Sequence, residues 1–152
     1  MISKKADAVN SAPSPDITER KQARVKNEEK DREIWVGENS LYLGEDNIFY
    51  ITVVGEMDDE TAIAIKAADV KFKSMVEGKV NVLGDINKSG KHSPGARKTW
   101  KEMMEEDKTG KVAIVGMSPI ARVLASFVMG VTRKKDMRFF KIKEEALAWL
   151  KQ

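Results

Sequence analysis

The sequence predicts one α/β domain on a mixed sheet: an N-terminal hairpin, then three strand-helix units whose later strands run parallel, with about four helices. Three observations carry this expectation. The run from Ile48 to Val54 is β-branched and aromatic, breaks at Gly55, and restarts beyond Asp58 and Asp59 as an amphipathic helical pattern. Val112-Ala113-Ile114-Val115 is apolar at every position, as a strand buried on both faces of a parallel sheet must be. From residue 59 onward helical patterns alternate with short apolar runs, and such alternation implies parallel strands joined by right-handed crossovers.

The 152 residues are 41% hydrophobic, enough for one core and too few for two full domains. Lys and Arg number 27 against 24 Asp and Glu, so the net charge of +3 gives no basis for a nucleic-acid partner. Without cysteine there are no disulfides, thiolate nucleophiles or cysteine zinc sites, and the single His92 cannot form a histidine cluster. No metal and no cofactor is expected. Neither a signal peptide nor an apolar window of about 18 residues is present, which predicts a soluble cytoplasmic protein.

Residues 1–33 read as a charged tail, disordered or loosely helical, because 12 of the 18 residues from Asp16 to Glu33 are charged and no apolar stripe forms. The domain is expected over 34–152. Ile34-Trp35-Val36 and Leu41-Tyr42-Leu43 predict two strands, and the Gly44 to Asn47 turn leads into Ile48 to Val54. Asp58 or Asp59 caps a helix over Asp59 to Glu77, with Ala62, Ile65, Ala68, Phe72, Met75 and Val76 inward and Lys66, Lys73 and Glu77 on a polar line. Gly78 is expected to end that helix.

Val80 to Leu83 then predicts a short strand, followed by a polar loop from Gly84 to His92. Ser93 and Pro94 start a second helix, whose apolar residues are Ala96, Trp100, Met103 and Met104. So narrow a stripe implies a peripheral, exposed helix. After Gly110 and the Val112 to Val115 strand, Ser118 and Pro119 start a third helix, apolar on nearly all sides through Val131. Strand Met137 to Ile142 and helix Lys143 to Leu150 complete the chain, with no internal repeat.

Val53 to Ala62 behind a hairpin, the Val112 to Val115 strand, and the ending Arg138-Phe139-Phe140 with Glu144-Glu145-Ala146-Leu147-Ala148-Trp149-Leu150 together resemble STAS domains. The ending looks most like the SpoIIAA-like subgroup, which is also compared with CRAL-TRIO lipid-binding domains. The resemblance implies a non-enzymatic regulatory binding module working through protein-protein contact. It also implies a phosphorylatable serine in the loop entering the second helix, an Asp-Ser-Ser-Gly-like turn in the antagonists of anti-sigma factors. The corresponding residues, Gly84 to Gly95, offer Ser89 and Ser93, with Lys88 where an acidic residue or serine is expected. Read from the residues alone, Ser93 is a helix cap.

Contact with a partner is expected at the loop and helix 84–104, with Trp100, Met103 and Met104 as anchors. Lys88, Lys91, His92, Arg97 and Lys98 surround a helix start and form a candidate anion site, with a solvated basic loop as the plainer reading. The Gly84 to Lys91 stretch imitates a P-loop but fails it: five residues rather than four separate Gly84 from Gly90, and His92 stands where Ser or Thr holds magnesium. Glu56, Asp58, Asp59 and Glu60 read as caps, and a Ser93, His92 and Asp85 constellation is weak because adjacent side chains diverge. No catalytic residue is assigned.

The third helix carries the alternative function, a carrier or sensor of a small apolar or lipid-like ligand with peripheral membrane association through 119–131. Met117, Ile120, Val123, Leu124, Phe127, Val128 and Met129 would meet the ligand, and Arg122, Arg133, Lys134 and Lys135 acidic headgroups. A plain core helix is the competing reading.

Overall fold

The structure, a computed structural model, describes residues 31–131 and 136–152. Residues 1–30 of the expected tail over 1–33 lie outside the described residues, as do the expected roles of Arg133, Lys134 and Lys135. Six strands form one sheet in the order β1-β2-β3-β4-β5-β6: Glu33–Val36, Asn39–Leu43, Phe49–Met57, Val80–His92, Thr109–Val115 and Met137–Phe140. The first two pairings are antiparallel and the last three parallel. Four helices follow the last four strands: α1 Asp59–Ser74, α2 Pro94–Glu105, α3 Pro119–Val131 and α4 Lys143–Leu150.

Because each parallel strand is added on the same side of its predecessor, right-handed crossovers stack α1, α2 and α3 on one face of the sheet. Their inward residues join Leu41, Phe49, Ile51, Val82, Val112 and Ile114 in the main core. The intervening residues of the strands point the other way, and there Leu83, Ala113 and Val115 meet Ala146, Trp149 and Leu150 of α4 in a smaller core. Both faces of β4 and β5 are thus covered.

α1 begins where Asp58 accepts a hydrogen bond from the Thr61 amide at 2.7 Å; the Thr61 side chain first, and then this amide, hold the exposed carboxyl below its usual range. Ala62, Ile65, Ala68 and Phe72 face the core as expected. Two of the assignments on this helix change: Met75 is exposed, and Lys73 is buried because Asp69, four residues earlier, receives its ammonium at 2.7 Å. The helix ends at Ser74, and Gly78, with φ +76°, lies in the turn beyond it.

The expected loop from Gly84 to His92 is the second half of β4. It pairs with the end of β3, Gly55 against Ser89 and Met57 against His92, after β5 has stopped opposite Asp85. This two-stranded ribbon bulges twice, and Gly55 at φ +74° takes a conformation that costs glycine least. The bulges space the inward residues Ile86, Ser89 and His92 by three, which erases the alternation by which a strand is recognised.

The second correction concerns α2. Ala96, Thr99, Trp100 and Met103 are buried, so this helix is a core element wedged beside α1 and not a peripheral one. Two large side chains, Trp100 and Met103, fill the seam together with Ala96 and Thr99 despite the polar residues around them. α3 packs in the opposite manner, through Ala121, Ala125 and Val128, while Ile120, Val123, Phe127 and Met129 are exposed. Its entry is tight, since a Cβ at Gly116 would stand 2.7 Å from that of Ala121.

Candidate functional site

The ribbon's end and the first turn of α2 form a connected polar structure. The Trp100 indole donates to His92 Nδ1 at 3.0 Å, and His92 Nε2 lies 2.9 Å from Ser89 Oγ. An indole nitrogen can only donate, so Nδ1 carries no proton and Nε2 carries it. His92 therefore donates to Ser89, whose hydroxyl donates onward to the Gly90 carbonyl at 3.0 Å. A histidine that gives its proton to a serine cannot also take one from it, so this pair makes no activated nucleophile. Burial, with Arg97 nearby, pushes the imidazole down to about 4 and keeps it neutral at physiological pH.

Ser93 closes the ribbon. Its hydroxyl accepts from the Ala96 amide at 3.1 Å, capping α2, and donates to Asp59 at 2.5 Å, tying the starts of α1 and α2 together. One turn on, Arg97 donates from Nη1 to the His92 carbonyl at 2.8 Å and lays its guanidinium 4.8 Å above the Phe127 ring of α3. Asp85 is occupied elsewhere, accepting from the amide and side chain of Asn87, so Ser93, His92 and Asp85 do not form a triad.

Between ribbon and α3 runs a groove of about 460 Å³ lined by Lys91, His92, Arg97, Ile120, Val123 and Phe127, with Gly90, Pro119 and Leu124 completing it. Behind it lies an apolar cavity of about 40 Å³ among Val53, Val82, Met104, Val112, Ala125 and Val128. His92 and Leu124 line both spaces.

The residues singled out from sequence thus divide. Lys91, Arg97, Ile120, Val123 and Phe127, which sequence assigned to two separate sites, share the groove. Lys88 and Lys98 are exposed outside its lining, as are Met117 and Met129, and Val128 is buried. Ser89 is 6% exposed with its hydroxyl engaged on both sides, whereas Ser93 is half-buried. Three roles are overturned by burial: Trp100 and Met103 are core residues and cannot anchor a partner from the surface, and His92, enclosed and neutral, cannot attract an anion by charge. Met104 is half-buried against the core. Sequence reasoning missed the Trp100, His92 and Ser89 chain, although a polar residue recurring at the ribbon's inward positions is its trace.

Among the described residues no group of three His, Asp or Glu side chains could hold a metal ion, and no helix is long and apolar enough to cross a membrane.

The fold has counterparts. The protein resembles a DUF3478-family protein of Shewanella loihica PV-4 with a SpoIIAA-like fold, at 18% identity and a TM-score of 0.56 over 74% of this chain and 91% of that one. An anti-sigma factor antagonist from Mycobacterium paratuberculosis matches at 18% identity and 0.57, covering 80% and 97%. The anti-sigma factor antagonist SpoIIAA in its unphosphorylated form matches at 16% and 0.54, covering 72% and 94%. No curated protein matches the sequence. At these identities the structural likeness speaks for the fold, and the family follows from the SpoIIAA-like family model, which matches residues 48–151, more than half of the chain. The chain belongs to the SpoIIAA-like family.

Proposed function

We propose that this protein is a non-enzymatic regulatory module that binds another protein in the groove between the β3–β4 ribbon and α3. The supporting observation is the reversed packing of α3: Val123 is 71% exposed and Ile120 45%, next to the cationic Lys91 and Arg97. Contiguous exposed apolar surface beside paired cations fits a segment that presents apolar side chains together with carboxylates. Two of the solved structures similar in fold are anti-sigma factor antagonists, which is consistent with a role through protein contact.

Within this reading Ser93, not Ser89, is the phosphorylation site. A phosphate there would gain from the α2 N-terminus and would face the Asp59 carboxylate, breaking the link between α1 and α2 beside the groove.

A second reading, a carrier of an apolar ligand with an anionic end, is favoured by one observation. His92 and Leu124 line both the groove and the apolar cavity, so an alkyl chain displacing Leu124 would pass from one toward the other. Native mass spectrometry of the protein purified from its own cells separates the two readings. A stoichiometric protein complex that the Val123→Asp variant loses supports docking in the groove. A chain free of protein partners but carrying a small apolar adduct overturns docking and selects the carrier.

A further inference from the structure

Away from the groove, α1 and the α2–β5 turn enclose a polar cluster. Asp69, Lys73 and Thr109 are at most 3% exposed. The Lys73 ammonium pairs with Asp69 Oδ1 at 2.7 Å, donates to Thr109 Oγ1 at 2.6 Å and reaches the Met103 carbonyl at 3.5 Å, so its charge is already engaged. Thr109 passes its own proton to the same carbonyl at 2.8 Å. Glu106, the C-cap residue just past the end of α2, brings its carboxyl to that of Asp69. Both Asp69 oxygens and Glu106 Oε1 are buried and accept no hydrogen bond among the described residues, Oδ1 having only its ion contact with Lys73.

Two buried acceptor oxygens from adjoining carboxyl groups, with a single ammonium already spent, are costly when both groups are ionised. One proton placed between them supplies the missing donor and reduces two negative charges to one, matching Lys73. We propose that Asp69 and Glu106 share this proton, and that it fastens the C-terminal end of α2 to α1. The neighbouring charges are engaged elsewhere: Lys66 pairs with Glu102, Lys101 with Glu105, and Lys108 donates to the Val76 carbonyl. From the sheet the cluster meets Ile51, Val82 and Val112, which bring no charge. Since the other end of α2 carries Ser93 and Arg97, loss of the proton would loosen one wall of the groove; this last step rests on the docking reading, and the sharing itself does not.

Burial holds the Asp69 carboxyl up to about 7, with Lys73 opposing and Glu106 adding to the rise. The folded protein therefore keeps a proton that the unfolded chain gives up near pH 4, and the stability this contributes falls as pH rises from about 4 to about 7. His92 acts in the same window with the opposite sign, its contribution being lost as pH falls from about 6.5 to about 4. A comparison of variant with wild type isolates the pair.

Asp69→Asn offers a permanent N–H to Glu106 and keeps an oxygen for Lys73. In urea unfolding, the ratio of the wild-type to the variant unfolding constant should rise about tenfold per pH unit between about 4.5 and 6.5, and level off above about 7.5. A ratio that is flat or falls with pH overturns the proposal. Infrared spectroscopy reads the wild type directly, and covers the case in which the variant fails to fold. A protonated-carboxyl band in the folded protein near pH 6 that Glu106→Gln shifts supports the sharing, and the absence of such a band overturns it. Both measurements are made without a partner, so failure of the docking reading leaves them unaffected.

Discussion

α2 and α3 invert each other's appearance. α2 is polar along most of its length yet buries its large side chains, Trp100 at 5% and Met103 at 3% exposure. α3 is apolar along most of its length yet packs through Ala121 and Ala125 and turns Val123 and Phe127 outward. The difference teaches that apolar content decides neither burial nor role: shape does. A narrow stripe of large residues fits the deep seam beside α1, whereas small residues let α3 lie close to the sheet and leave its bulk outside.

This contrast can be broken most forcibly at Trp100. Trp100→Ala removes a core side chain and the donor that fixes the His92 tautomer, and should cost about 3–5 kcal/mol in chemical denaturation. A loss below about 1 kcal/mol would mean that α2 is peripheral after all. Next comes Ala125→Leu on the close-packed side of α3, expected to cost about 1–3 kcal/mol because the added methylenes meet the sheet. The smallest effect is expected for Val123→Asp on the outer side, within about 0.5 kcal/mol by the same measurement. That result, combined with loss of a bound partner, would sharpen the contrast into a division of labour between the two faces of one helix.

Much of the architecture was legible because strand and helix periods are local properties. The Ile48 to Val54 run, the four-residue apolar strand at Val112 and the Ser93 and Pro94 start all lie within the observed elements or at their boundaries. The second half of β4 was not legible, since two bulges replace the two-residue spacing with three at Ile86, Ser89 and His92. Lys73 was misplaced for a related reason. Its spacing from Asp69 marks an ion pair in either setting, and only the flanking Ala68 and Phe72, both inward, signal that the pair is enclosed. The groove was half legible: its cationic and its apolar residues were each identified, but they sit some 30 positions apart in the chain, and only the crossover from β4 through α2 and β5 to α3 brings them together.

The strand order β1 to β6 repeats the order of the chain. Every strand therefore finds its pairing edge in the segment that immediately precedes it, and none must be threaded between two strands already joined. Such a sheet can extend from one side as the polypeptide is synthesised, each crossover closing a loop of modest length. α4 covers β4 and β5 from the far face after both are in place. On a ribosome this last helix would act as the latch, and until it emerges Leu83, Ala113 and Val115 stay open to water.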